Sequence, residues 1–403
     1  MTEGLKNLKH VVTVMMENRS FDHMLGGLKA ENAKVDGLTG AESNLDTTNE
    51  PAPVKPLAEF QSQLDPDPNH HFPSVHQQLF EGAKDGKPTM GGFVKSYYQE
   101  RKDVEHSRKI MYYFAPDKLP VLSAVARNFA LFNGWFSSIP GPTLCNRAFA
   151  HYGTSFGQVS MDVFYYHKEP PSIYQRLTNA GHSGRVYYYD EASSSLEVVN
   201  LLQDQPHLFG TYEQFLEDCK LNKLPQYSFI EPNYTDHEGD GGEIIASDQH
   251  PDHDVQQGEV FLATVYNAIR SNADLWKSTA ILVTYDEHGG IYDHVPPPNC
   301  VKDGFVATPD KTEVPNLTFE FDRLGVRVPA ILISPWIPKA TVVSGPYEQG
   351  GRAFEHASIP NTVSEFFLGG YPQATPREKS SGNFLYLLSD TMRPDSDCPV
   401  FHM

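Results

Sequence analysis

Short apolar runs, each followed at once by charged or polar side chains, mark the functional segments of this chain. The run at 281–285 ends in Asp-Glu-His-Gly-Gly, and the run at 11–16 ends in Glu-Asn. A short apolar run bounded by turn residues is typical of a buried strand. In an open α/β sheet, ligands bind beyond the carboxyl ends of the strands. We therefore expect both polar groups to lie at one functional edge.

The segments between these two runs alternate between strand-like and helix-like patterns. Residues 255–271 place Phe261, Val265 and Ile269 four positions apart, which predicts an amphipathic helix. Strands that alternate with helices predict an α/β fold with a mostly parallel central sheet. The other predicted elements are strands at 185–189, 227–230, 280–285 and 328–334, helical patterns at 118–135, 172–180 and 358–368, and a helix beginning within 148–156.

One long segment, residues 28–75, is polar and rich in proline. A loop of that length inside a compact enzyme is usually a lid or a binding loop. We expect one domain over residues 1–403, a lid or insert at about 28–115, and a short C-terminal segment at about 370–403.

The formal net charge of -19 restricts the partners of the chain. No basic patch is evident that could neutralise phosphates, so we expect no nucleic-acid partner. The charge also disfavours tight docking on anionic membranes, which leaves at most peripheral contact with a zwitterionic surface. No obligatory protein partner is evident.

Neither a transmembrane segment nor a Sec-type leader is recognisable, because no apolar run approaches 18 residues and the N-terminus lacks a basic and apolar start. We expect a cytoplasmic protein, or an exported one whose leader was removed or that uses another route. The four widely spaced cysteines argue against a cysteine-based zinc site.

The polar groups at the two strand ends are candidate metal ligands. Glu17 and Asn18 supply hard oxygen donors, although taken alone they favour a turn that caps the next helix. Asp286 and Glu287 favour a functional interpretation, because unpaired carboxylates beside a buried strand are energetically expensive.

Thr143 precedes an expected helix start, where a hydroxyl is normally an N-cap. The functional alternative is a nucleophile at a helix N-terminus, a position that also favours phosphate. Arg147, one turn later, could hold a phosphoryl oxygen or form a structural ion pair. Among the histidines, which can donate protons or ligate metals, His71 and His250 are the stronger candidates and His237 and His253 the weaker ones.

These segments together resemble a phosphoesterase family that contains bacterial phosphatidylcholine-hydrolysing phospholipases C, plant non-specific phospholipases C and AcpA-type acid phosphatases. The resemblance covers nearly the whole chain and is closest to the plant enzymes. Its markers are the motifs at 17–23, 143–147, 250–254, 285–295 and 327–336. The sequence departs from the family in having Cys145 where proline is frequent, and in lacking the long C-terminal extension of the larger bacterial enzymes.

The resemblance implies an alkaline-phosphatase-like fold, with helices on both faces of the sheet, and one or more divalent metal ions. It also implies that Thr143 is both metal ligand and nucleophile, and that histidines bind phosphate or protonate the leaving group. The expected catalytic residues are Thr143, His71, His250, Arg147 and His294; the substrate-binding residues Asn146, His237 and His253; and the metal ligands Glu17, Asn18, Thr143, Asp286 and Glu287.

The expected activity is hydrolysis of phosphatidylcholine-like phospholipids to diacylglycerol and a phosphorylated headgroup. An acid phosphatase acting on soluble phosphomonoesters could use the same residues. A catalytically silent lipid- or metal-binding protein is disfavoured, because Glu17, Thr143 and Asp286 are all present. Tyrosines at 97–98, 165–166 and 187–189 could line a headgroup pocket, although ordinary core packing is the commoner role.

Overall fold

An eight-stranded sheet forms the centre of the computed structural model. The structure describes residues 1–162, 169–189, 205–239, 242–345, 351–370 and 373–402. The strands are β1 (His10–Met16), β2 (Ser43–Leu45), β3 (Pro51–Pro53), β4 (Ala130–Phe132), β5 (Trp135–Phe136), β6 (Gly184–Tyr188), β7 (Phe209–Thr211), β8 (Tyr227–Ile230), β9 (His237–Gly239), β10 (Gly242–Ile244), β11 (Thr279–Tyr285), β12 (Ala330–Ile333), β13 (Thr341–Val343) and β14 (Phe354–Glu355).

The helices lie between the strands and in the insert. They are α1 (Glu3–Asn7), α2 (Phe21–Leu25), α3 (Phe72–Phe80), α4 (Phe93–Arg101), α5 (Val104–Ser107), α6 (Pro120–Asn128), α7 (Thr143–Tyr152), α8 (Ile173–Asn179), α9 (Tyr212–Lys220), α10 (Val255–Arg270), α11 (Ala273–Trp276), α12 (Pro309–Thr312), α13 (Ser358–Phe367) and α14 (Pro376–Ser380). Short 3-10 helices occupy Gly26–Ala30, Arg108–Met111, Pro116–Lys118, Pro206–Leu208, Leu385–Leu387 and Asp395–Asp397.

The strand order across the sheet is β13-β4-β12-β11-β1-β8-β6-β7. All pairings are parallel except those of β12, which runs against both of its neighbours. Every side chain of β11 is buried, so both faces of the sheet are covered. The predicted α/β fold with a mostly parallel sheet is confirmed, and the antiparallel β12 is an addition to it.

Two predicted helices have different bounds in the structure. The helical pattern at 118–135 is a helix only over Pro120–Asn128, because the apolar run after it enters the sheet as β4. The helix expected to begin within 148–156 starts at Thr143, directly after Pro142, which stands at its N-cap. The helix therefore begins earlier than expected, and Thr143 is the first residue of α7.

The insert is more compact than its polar composition predicts. It contains a β2–β3 hairpin and α3 to α5, and it has an apolar cluster that includes Leu64, Val75 and Phe93. This cluster packs against Ile291 and Tyr292, which follow the 286–290 turn. The insert is therefore anchored beside the end of β11. Its role as a lid stays a prediction.

Two further sequence expectations can be compared with the structure. All four cysteines are free thiols. Within the described ranges, none of the helices combines the length and apolar character needed to cross a membrane.

Candidate active site

Three neighbouring strand ends bring acidic side chains together. Glu17 follows β1, Asp286 follows β11 and Glu231 follows β8. Because β1 pairs in parallel with both other strands, their carboxyl ends lie at one edge of the sheet. That edge is where open α/β sheets place their ligands.

Arg147 joins these three carboxylates. Its Nε donates to Asp286 Oδ2 at 3.2 Å, Nη1 to Glu231 Oε1 at 3.3 Å and Nη2 to Glu17 Oε1 at 3.4 Å. The side chain is fully buried, and the ring of Tyr234 lies 5.3 Å from the guanidinium carbon. Of the two roles open for Arg147, the structure places it in the ion pair, with its donors turned toward the protein. These contacts account for Arg147 as a structural residue, and its expected catalytic role stays a prediction.

Thr143 lies beside Asn18 at the start of α7. Its hydroxyl donates to Asn18 Oδ1 at 3.4 Å, and the backbone N–H of Asn18 donates to Asp286 Oδ1 at 3.0 Å. The first backbone N–H groups of a helix lack intrahelical acceptors and favour a phosphate. The hydroxyl, the amide oxygen and the carboxylate thus adjoin an anion-attracting helix end.

A glycine makes this close packing of the two strand ends possible. Gly289 has a φ of +63°, and a Cβ at this position would lie 2.1 Å from the carbonyl oxygen of Asn18. Asn18 itself has a φ of +56°, a left-handed conformation that asparagine tolerates better than most residues. A side chain at position 289 would separate the turn after β11 from Asn18.

An open cleft of about 400 Å³ leads to Thr143. Four of the site residues predicted from the sequence line this cleft, namely Thr143, Glu17, His71 and His250. The other lining residues are Asp67, Asn69, His70, Glu100, Leu144, Met161, Tyr234 and Thr235.

Several site residues were missed by sequence reasoning. His70 is buried beside Glu287, whereas the neighbouring His71 is exposed. The sequence alone does not show which of two adjacent histidines is buried. Glu231 follows a predicted strand and could have been recognised by the same pattern as Glu17. His356 had no sequence signal, although its Nε2 lies 2.5 Å from the carbonyl oxygen of Asp286.

The electrostatics of this strand edge favour a cation. Burial, and then the negative charge of Asp286, hold the pKa of Glu17 well above its usual range. Burial also raises the pKa of Asp286, although Arg147 opposes that shift. The Oε1 atom of buried Glu287 has no hydrogen-bond donor among the residues the structure describes. Glu17, Glu231 and Asp286 share a single guanidinium, and buried carboxylate oxygens in excess of their cationic partners are a donor set that suits a divalent cation.

His294 belongs to a different cluster. Its Nδ1 lies 2.7 Å from Asp22 Oδ2, and Arg327 donates to Asp22 at 2.9 Å and to Asp293 at 3.1 Å. This group lies next to α2, and none of its members lines the cleft. The structure thus shows His294 in ion pairs away from the cleft, and its expected catalytic role stays a prediction.

The three residues predicted to bind substrate have other contacts. The buried Asn146 donates to Gly141 O at 2.7 Å and accepts from the N–H of Ile139 at 3.0 Å, so it stabilises the turn before α7. His253 pairs with Asp248 at 2.7 Å, and His237 Nδ1 lies 3.0 Å from a backbone carbonyl. The structure places none of the three side chains on the cleft.

The described tyrosines at 97–98 and 187–189, which were expected to line a headgroup pocket, do not border this cleft. Tyr97 and Tyr187 are buried in the fold, where Tyr97 donates to Pro66 O and Tyr187 to Asp218. Tyr165 and Tyr166 lie outside the described residues. Tyr234 is the tyrosine that borders the cleft.

A mostly parallel α/β sheet that presents clustered carboxylates and a helix-terminal hydroxyl at its strand ends fits a hydrolase that cleaves phosphoesters. Comparison with known proteins agrees, because the Phosphoesterase family profile matches residues 8–368. The chain belongs to this family and is a phosphoric ester hydrolase.

Named relatives align with nearly the whole chain. Non-specific phospholipase C1 of Arabidopsis thaliana is 39% identical over 97% of this chain and 73% of its own length. Phospholipase C A of Mycobacterium tuberculosis is 26% identical over 89% of this chain and 75% of its own. Among solved structures, a phosphonate monoester hydrolase of Agrobacterium radiobacter aligns at 10% identity with a TM-score of 0.40, covering 96% of this chain and 78% of its own. This structural match is too distant to add to the assignment.

Proposed function

We propose that this chain is a metal-dependent phosphodiesterase of the phospholipase C type. It would cleave phosphatidylcholine-like phospholipids into diacylglycerol and a phosphorylated headgroup through a covalent intermediate on Thr143. The observation that carries the proposal is the hydroxyl of Thr143, which lies in an open cleft, at a helix N-terminus, 3.4 Å from Asn18 Oδ1. The names of the plant and mycobacterial relatives support the lipid substrate.

The metal ligands in this proposal are oxygen donors at one end of the sheet. They are Glu17, Asn18, Thr143, Asp286 and Glu287. A divalent cation bound there would supply Lewis acidity and lower the pKa of a coordinated hydroxyl. The buried Oε1 atom of Glu287, which has no hydrogen-bond donor among the described residues, and the raised pKa of Glu17 support this assignment.

The protein's own residues divide the reaction between them. Thr143 Oγ1 attacks phosphorus in line, and the amides at the start of α7 hold the phosphoryl oxygens. The diacylglycerol oxygen departs with a proton from a cleft histidine, for which His71 and His250 are the candidates. Water then cleaves the threonine ester and releases the phosphorylated headgroup, so Thr143 is restored.

Product analysis tests this proposal. Purified protein is incubated with phosphatidylcholine vesicles and, separately, with p-nitrophenyl phosphate, each with and without a chelator. We expect diacylglycerol and phosphocholine, loss of both with the chelator, and loss of both in Thr143→Ala. Thr178→Ala, on the exposed end of α8, is the matched control and should stay active. Faster turnover of the phosphomonoester would instead identify an acid phosphatase.

A further inference from the structure

One carboxylate on the cleft has no partner of its own. Glu100 lies near the end of α4 in the insert, and its exposed side chain lines the same cleft as Thr143. Among the described residues, none forms an ion pair or a side-chain hydrogen bond with it. Glu100 is also not one of the proposed metal ligands. Its charge is therefore available to a molecule that enters the cleft.

The end of α4 is held in a fixed position beside the cleft. The buried Tyr97 donates from its hydroxyl to Pro66 O at 2.9 Å, and Arg101 Nη1 donates to Asp65 O at 3.3 Å. These two bonds join α4 to the loop before α3 on either side of Glu100. A charge that a rigid element holds in place can select between ligands at a low cost in entropy.

The basic neighbours of Glu100 on the helix have other contacts. Lys102 Nζ contacts Gln99 Oε1 and lies 5.6 Å from the centre of the Tyr98 ring. Arg101 contacts a backbone carbonyl, as described above, and neither basic side chain lines the cleft. The negative charge of Glu100 is thus not neutralised by the adjacent positions of the chain.

The described lining of the cleft has three acidic residues and neither lysine nor arginine. Two of the three carboxylates already have partners. Glu17 contacts Arg147 at 3.4 Å, and Asp67 lies 3.7 and 3.8 Å from nitrogen atoms of two histidines. Glu100 is the third. A cleft with this lining attracts a cationic group and repels an additional anionic one.

The aromatic alternative for binding an organic cation is less favourable here. Quaternary ammonium groups also bind to aromatic faces, and Tyr234 borders the cleft. The guanidinium carbon of Arg147 already lies 5.3 Å from the centre of that ring, and the Tyr234 hydroxyl donates to Glu231 at 3.0 Å. The ring thus serves a buried cation, and the exposed carboxylate of Glu100 is the better partner for a second one.

We propose that Glu100 determines headgroup specificity by pairing with the cationic nitrogen of a choline or ethanolamine headgroup. The inference rests on the proposed function, in which the phosphodiester binds at Thr143 and the start of α7. The headgroup then extends along the cleft toward the end of α4. A headgroup that lacks a cation leaves Glu100 unpaired, and an anionic one is opposed by it.

The expected size of the effect is modest, because Glu100 is exposed to solvent. An exposed ion pair changes an affinity by up to about five-fold. The headgroup nitrogen does not change its charge during the reaction, so the pair stabilises the bound substrate and the transition state equally. Loss of such uniform binding raises KM and leaves kcat unchanged.

Two soluble diesters isolate the charge of the headgroup. They are p-nitrophenyl phosphorylcholine and p-nitrophenyl 3,3-dimethylbutyl phosphate, in which carbon replaces the choline nitrogen at nearly the same size. Both release p-nitrophenol in place of diacylglycerol. We expect the parent to prefer the choline ester by about five-fold in kcat/KM, through KM, and this preference to fall as salt is added.

The matched variants give the decisive comparison. Glu100→Gln should bring the two rates close together, with turnover of the neutral ester unchanged, and Glu100→Lys should favour the neutral ester. Glu213→Gln, on an exposed position of α9 away from the cleft, is the control and should keep the preference of the parent. The same preference in Glu100→Gln as in the parent, or an equal loss on both esters, would overturn the assignment.

Natural headgroups are compared in neutral detergent micelles. Glu100→Gln should lose turnover of phosphatidylcholine, phosphatidylethanolamine or both, whichever the parent prefers, and should keep turnover of phosphatidylglycerol, whose headgroup has no cation. An equal loss on all three lipids would contradict a role in headgroup recognition.

Failure of this inference can be told apart from failure of the proposed function. Calorimetric titration with phosphocholine and with 3,3-dimethylbutyl phosphate measures the preference without turnover. Tighter binding of phosphocholine that is lost in Glu100→Gln, without hydrolysis of phosphatidylcholine, would support the role of Glu100 and refute the phospholipase assignment. Hydrolysis of phosphatidylcholine with equal binding of the two ligands would do the opposite.

Discussion

Replacing Arg147 with methionine tests whether this residue holds the strand ends together or contacts substrate. Its guanidinium contacts Asp286, Glu231 and Glu17 at 3.2 to 3.4 Å, and the side chain is fully buried. Methionine fills much of the same volume but leaves three buried carboxylates without their cation. Removing one partner of a buried ion pair typically destabilises a protein by about 3–5 kcal/mol.

We expect Arg147→Met to lose about 4 kcal/mol of unfolding free energy, because three carboxylates depend on this one guanidinium. The measurement is urea unfolding of the metal-free protein, followed by circular dichroism. Arg185→Met is the matched control, since Arg185 pairs with Asp218 at 3.2 Å on a partly exposed strand. The Arg185–Asp218 pair is only partly buried, so the control should lose much less stability than Arg147→Met.

If Arg147→Met were as stable as Arg185→Met and yet inactive, Arg147 would contact the phosphoryl group and not hold the network. Activity lost together with stability is the expected pattern.

Four shorter predictions concern the site and its surroundings. Thr143→Ser should keep measurable turnover of phosphatidylcholine, whereas Thr143→Ala should lose at least about 10³-fold with an unchanged melting temperature, because the nucleophile is missing. Gly289→Ala should lower the free energy of unfolding by at least about 1–2 kcal/mol and reduce activity, because its Cβ would clash with the carbonyl oxygen of Asn18 and its φ is positive. A variant with unchanged stability would contradict the close contact between Gly289 and Asn18. Burial lowers the pKa of His294, but its hydrogen bonds to two carboxylates outweigh this effect and raise the pKa to about 10. Below about pH 6.5, His294→Gln should therefore be less stable than the parent by about 2 kcal/mol, a figure reduced to allow for the partial exposure of the side chain. This loss of stability should shrink as the pH rises through 10, and turnover should be retained. Dialysis against a chelator should abolish turnover and lower the melting temperature, and added Mn²⁺ or Zn²⁺ should restore both; turnover that survives complete removal of metal would exclude the proposed chemistry.

The sequence predicted those parts of the fold that depend on local pattern. The apolar runs of β1 and β11 end in polar residues at the positions the structure confirms, because a buried parallel strand must be apolar up to its last residue. The helix predicted over 118–135 was too long, because the apolar run that begins at Phe129 fits a buried helix and a buried strand equally well.

The site was harder to predict because its residues meet only through tertiary contacts. Asp67 and His70 lie in a proline-rich segment whose composition predicts an exposed loop. The local sequence does not indicate that α3 and α4 anchor this segment beside Glu287. His294 shows the opposite case, because its motif adjoins Asp286 in sequence while its side chain contacts Asp22.

Trapping the covalent intermediate tests directly whether Thr143 is the nucleophile. The protein is mixed with phosphatidylcholine vesicles, quenched in acid within one turnover, digested and analysed by mass spectrometry. We expect a peptide that carries phosphocholine on Thr143 and that is absent when the metal has been removed. Turnover that leaves Thr143 unmodified, or an adduct on another residue, would contradict it.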